Sequence, residues 1–144
     1  MATVAISSFG TLLKIGDGAV AESFTTIAEV KDIDGPNLKM DTVDVTSHSS
    51  GGGWEEVIGT VLRSGEVMFD INFLPTSATQ GYGTGLLKDL VNRTVRHFQL
   101  VFPNAGNTTW SFSALVTAFT PNAAVVGELK ASISLKVTGQ PTLA

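Results

Sequence analysis

DTVDVTSHSSGGGWEEVIGTVLRSGEVMFDINF, residues Asp41 to Phe73, is the stretch that decides how this chain folds. Its second arm alternates without a fault. Val67, Phe69, Ile71 and Phe73 point one way, and Glu66, Met68, Asp70 and Asn72 the other, as in a strand with one buried and one wet face. The first arm is also strand-like. The connection between them, residues 47–64, is far longer than a hairpin loop of about two to five residues. Its Ser/Gly-rich tip carries a large apolar residue, Trp54, that a solvated loop does not want. A loop this long on such well-specified strands is either floppy or built to touch something else; the indole favours contact, with copies of the same protein as the expected partner.

Outward from that stretch the pattern is β throughout. Residues 1–9 read as an arm without clear period. A strand at 11–15 runs into Gly16-Asp17-Gly18, a strong turn signal because glycine accepts positive φ freely. Residues 25–33 read as a second strand, closed by Asp34-Gly35-Pro36, and residues 38–46 as a third. The apolar parity of the third shifts from Leu38 and Met40 to Val43 and Val45, which predicts a bulge near Asp41 and Thr42. Beyond Pro75, Leu86, Leu87, Leu90 and Val91 form one apolar stripe of a short helix over residues 84–93, which should cover a sheet. Three further strands are expected at 95–102, 108–119 and 128–138, with turns at Pro103–Asn107 and Pro121-Asn122, and a C-terminal arm at 139–144. Trp110, Phe112, Ala114 and Val116 share one face of the middle strand. Leu129, Ala131, Ile133, Leu135 and Val137 share one face of the last. About seven strands and one helix predict a mainly β, antiparallel sandwich or barrel in a single domain.

Composition narrows the function classes. The 144 residues are 43% hydrophobic and only 15% charged, against about a quarter charged in a typical domain. A surface so poor in charge fits a protein that hides part of itself in an assembly, and equally a monomer coated with Ser, Thr and Asn. The net charge of −4 and nine scattered Lys and Arg leave no basic stripe for tight duplex binding. With no cysteine, disulfides, thiolate metal sites and thiol nucleophiles are excluded. The N-terminus has no basic region followed by an apolar run of signal-peptide length, and no segment has the roughly 20 apolar residues of a membrane helix. A protein kept in the cytoplasm until it is assembled is expected.

No reaction chemistry emerges. Gly81-x-Gly83-x-Gly85 precedes the helix but has neither the spacing nor the preceding strand of a dinucleotide loop. The glycines at 51–53 lack the Lys-Ser/Thr of a phosphate loop. His48, Asp44 and the neighbouring serines can be drawn as a triad, yet a triad also needs a fixed nucleophile and an oxyanion hole. Glu55 and Glu56 diverge on any regular element, and Glu66 and Asp70 share an exposed strand face. No cofactor or metal is expected. What stands out is a β domain with arms and edges. A long strand with neither lysine nor proline to blunt it, as at 65–73, invites pairing with another copy, and such contacts close rings or run on as filaments.

Four stretches, FTTIAEVKDIDGPNLKMDTVDVTSHSSGGGWEEVI, GEVMFDINFLP, RHFQLVFPNAGNTTWSFSALVTAFTP and LKASISLKVTGQPTL, cover nearly the whole chain in order. They resemble the major tail protein, or tail tube protein, of lambda-type long-tailed bacteriophages, whose fold is related to type VI secretion tube proteins. The resemblance implies a virion protein that stacks as hexameric rings into a tail tube, with strands of each subunit joining a continuous inner barrel and genomic DNA passing down the lumen. It also implies tail-tip (initiator), tape-measure and tail-terminator partners. The lambda protein carries a further C-terminal immunoglobulin-like domain. This chain stops at Ala144, so a decorated outer surface is not expected.

Set on these residues, the resemblance gives two expected sites. His48, Gly51, Gly52, Gly53, Trp54, Glu55, Val57 and Ile58 are expected at the contact between subunits and rings. Thr42, Asp44, Thr46, Glu66, Asp70 and Asn72 are expected to face the lumen, where charge of the same sign as DNA keeps the duplex from sticking. The alternatives are a tube protein of a contractile injection or type VI secretion system and, in another class, a monomeric β-sandwich binding module. The latter wants exposed aromatics along a groove, whereas Trp110 lies in a core-like alternation.

Overall fold

In the computed structural model, which describes residues 2–144, the alternating arm is a strand whose Val67, Phe69 and Ile71 are buried while Glu66 and Met68 face solvent. It is one of nine. They are β1 (Leu12–Gly16), β2 (Phe24–Thr26), β3 (Val30–Asp34), β4 (Lys39–Asp44), β5 (Val57–Arg63), β6 (Glu66–Asn72), β7 (Val95–Val101), β8 (Thr109–Ala123) and β9 (Leu129–Leu143). Among the described residues one α-helix, α1 (Leu86–Val91), lies between β6 and β7. Seven strands form one antiparallel sheet in the order β2-β1-β7-β8-β9-β6-β3, and β4 pairs only with β5.

Chain connectivity forces that sheet to roll up. β2 and β3 lie at its two opposite edges, yet only residues 27–29 separate them. A link so short reaches roughly 14 Å when fully extended, so the edges must approach one another. The hydrogen bonds record the crossing. Ile27 N–H donates to the Leu13 carbonyl on one edge, and Asn72 N–H donates to the Glu29 carbonyl on the other. Glu29, at φ 56°, makes the bend. Sequence reading predicted one strand over residues 25–33; this corner divides it in two.

Rolling turns one face of the sheet inward. Leu13, Ile27, Phe98, Phe112, Ile133 and Leu135 meet there with the β6 side chains in one core. Gln80, fully buried, seals the corner. Its Nε2 donates to the Ala28 and Asn72 carbonyls, and its Oε1 accepts from Leu74 N–H at 2.7 Å. Backbone groups freed where a strand changes edge would otherwise be buried without partners, which is costly.

Three expected boundaries move. Residues 57–63, read as loop, are β5, and their register with β4 runs from Lys39↔Arg63 to Asp44↔Val57 with the anticipated bulge between Met40 and Thr42. The turn expected at Pro121-Asn122 is strand, because β9 holds β8 in register as far as Ala123↔Leu129. Residues 139–143, read as a free arm, continue β9, and Thr109 and Ala144 exchange backbone hydrogen bonds at 2.7 and 2.9 Å. Ala2–Ser8 adopt neither strand nor helix.

Candidate assembly surfaces

The β4–β5 hairpin projects from the barrel with every residue of both strands exposed. Glycines fix its base. Gly65 lies at φ 71°, and a Cβ there would come within 2.6 Å of the Asn37 carbonyl oxygen; Asn37 N–H in turn donates to the Ser64 carbonyl. Along its length Arg63 meets Asp41 at 2.8 Å, and Thr60 Oγ1 donates to the Asp41 carbonyl.

The tip is ordered by its own polar groups. Ser50 is buried, accepts from Ser47 N–H at 2.9 Å and donates to Glu56 Oε2 at 2.9 Å. Glu56 N–H donates to Thr46 Oγ1, and Thr46 N–H to Asp44 Oδ1, both at 2.8 Å. The hydrogen bonds from Thr46 hold the Asp44 carboxyl below the usual carboxylate range. Gly51–Gly53 form a single 3-10 turn, with Gly52 and Gly53 at positive φ. The clasp turns Trp54 outward, 79% exposed, beside exposed His48, Glu55, Val57 and Ile58. The expected contact residues thus share one element, the hairpin and its tip. Thr42, Asp44 and Thr46 lie on it too and are not brought together with β6.

Glu66, Asp70 and Asn72 occupy the outward face of β6, with Asp32 and Asp34 of β3 and Ser132 and Ser134 of β9 alongside Asp70. The β6–β9 register sets Glu66 opposite Lys136, Asp70 opposite Ser132 and Asn72 opposite Lys130. Ser132 Oγ donates to Asp70 Oδ1 at 2.8 Å. The face is therefore mostly polar, with half-exposed Met68 among its side chains, and mixed in charge, with acids in excess. Among the described residues no three His, Asp or Glu gather as a metal-ligand set.

Sequence reading placed the unpaired edge on residues 65–73, but β6 has β9 on one side and β3 on the other. Open edges lie on β2 and on the β4–β5 hairpin and, flanking β6 and β9, on β8 and β3. β7 leaves β8 at Leu115, so Val116–Ala123 pair with β9 alone. β3 pairs with β6 alone. Pro121 marks the β8 edge, since proline, lacking an N–H, is confined within sheets to open edges and bulges. Together β3, β6, β9 and the far half of β8 make a four-stranded section open on both sides.

The sequence model of the lambda phage tail tube protein family matches residues 10–144. No curated protein matches the chain. Among solved structures, the tail of an empty gene transfer agent particle, refined with C6 symmetry, superposes with TM-score 0.77 at 21% identity, covering 97% of this chain and 99% of that one. A chain of the sheath/tube terminator of an extracellular contractile injection system gives TM-score 0.71 at 15% identity over 100% and 99%. The tail tube of SPP1 gives 0.61 at 14% over 92% and 75%. At these identities the structures share the fold. The family match takes in the barrel, the hairpin and the helix alike, and the chain belongs to the lambda phage tail tube protein family, as a structural protein of phage-like tails.

Proposed function

We propose that copies of this chain close into rings, six to a ring, and that the rings stack into a tube through which double-stranded DNA passes. The observation that carries the reading is the four-stranded section with an open edge on either side. Neighbours within it are antiparallel throughout, and their number is even. The β8 edge of one copy and the β3 edge of the next therefore run in opposite senses, so a closed ring is antiparallel all the way round. Its inner wall is the face bearing Glu66, Asp70 and Asn72. Thr42, Asp44 and Thr46 go instead with the hairpin, which reaches with Trp54 to the next ring; a buried aromatic anchor commonly dominates an interface. The chain waits in the host cytoplasm until a tail tip starts growth, and a tape measure and a terminator set where the tube ends.

Electron microscopy of the purified chain, alone and with tail-tip complexes, tests this. Hollow tubes of uniform width with sixfold end views are the expected result. A chain that stays monomeric in both preparations overturns it.

A further inference from the structure

We propose that the tip of the β8–β9 hairpin is an axial plug, seated in a hollow at the base of the β4–β5 hairpin of a second copy in the next ring. The inference rests on the tube reading and adds to it a contact distinct from Trp54. Val125 and Val126, at the tip, are bare to solvent at 103% and 91% exposure. Turns are ordinarily built from Gly, Asn, Asp, Ser and Pro, so two adjacent valines serve some purpose other than the turn. The hollow, of about 330 Å³, is lined by the apolar Leu38, Leu62 and Pro141 and also by Lys39, Arg63 and Gln140. Leu62 is itself 77% exposed.

Plug and hollow lie at opposite ends of the same strands. β9 leaves the tip at Leu129 and reaches Gly139 ten residues later, about 33 Å of strand at 3.3 Å per residue. A copy therefore cannot fill its own hollow, and a contact that joins one end of a molecule to the other end of its neighbour repeats without closing. That is the geometry of stacking. Charge is mixed at both ends. Glu29 and Glu128 share the plug end with Lys31 and Lys130, and Lys39 and Arg63 share the hollow end with Asp34, Asp41 and Glu66. The apolar tip and the axial geometry therefore carry the contact.

The absence of native cysteine makes the contact testable by cross-linking. Tubes of a Val126→Cys, Leu62→Cys chain, oxidised after assembly, are expected to run as a ladder of multimers on a non-reducing gel. Val125→Asp with Val126→Asp, both fully exposed, should leave circular dichroism and melting unchanged while single rings accumulate in place of tubes. Normal tubes from the aspartate chain, or cysteine tubes without a ladder, overturn the plug and leave the tube reading standing. Failure of the unmodified chain to polymerise overturns both.

Discussion

At Asp89 the sequence conceals what the fold does. The apolar stripe of Leu86, Leu87, Leu90 and Val91 reads as the buried face of a helix, yet Val91 is half exposed and Asp89 is only 1% exposed. No periodicity announces this, because the partner, Arg96, comes from β7 and meets Asp89 Oδ1 at 3.0 Å. The other carboxylate oxygen has no hydrogen-bond partner. Burial pushes the Asp89 carboxyl above the usual range, and the Arg96 guanidinium pulls the opposite way without fully offsetting it. A carboxyl raised in the fold holds its proton more tightly there than in the unfolded chain, so its charge costs stability once the pH has risen through the folded value. Arg96→Met removes the opposing charge and raises the carboxyl further. The expected loss at neutral pH is about 3 kcal/mol, shrinking as the pH is lowered and Asp89 takes up its proton. Urea unfolding at pH 7.5 and pH 5 measures it; a loss independent of pH removes electrostatics as the cause.

Among the elements, the barrel strands and β4 with its bulge were legible and β5 was not, for one physical reason. Alternation appears in sequence where one face is dry and the other wet, as in β6 and β9. β5 is wet on both faces in the single chain, so nothing requires it to alternate. Val57-Ile58 and Val61-Leu62 stand side by side, and Gly59 interrupts them. The glycine has a packing reason that sequence cannot display: the Met40 sulfur lies 2.5 Å from where a Cβ would be. The corner at Glu29 and the edge at Val116–Ala123 were invisible likewise, since both depend on which strands become neighbours. At the hairpin tip the consequence is specific. The clasp around Ser50 and Glu56 makes no use of the indole, so Trp54→Ala should change unfolding free energy by no more than about 0.5 kcal/mol while abolishing tubes. Microscopy and chemical denaturation of one preparation check both halves, and tubes that persist would assign the indole another task.

For the whole molecule, the two open edges and the charge of the face between them bear on one function. In the proposed ring, the section's core face would be covered by the rest of each barrel and its outward face would form the wall of the channel. That face carries Asp32, Asp34, Glu66 and Asp70 against Lys130 and Lys136, together with Ser132, Ser134, Asn72 and one exposed apolar side chain, Met68. In the proposed tube, phosphates would meet mostly like charge and hydroxyls, and the lysines stand beside acids or amides rather than in a basic row. A duplex held by several cations at once loses mobility, because each neutralised phosphate adds to affinity and to its dependence on salt. Glu66→Lys with Asp70→Lys reverses the balance without touching either edge, the Trp54 tip or the core. Tubes of this variant should assemble normally, retain double-stranded DNA at low ionic strength and release it as salt is raised, whereas unmodified tubes retain none. In a virion the same pair should slow or stall ejection. Unchanged ejection, with no salt-dependent retention in isolated tubes, would falsify the assignment of this face to the lumen.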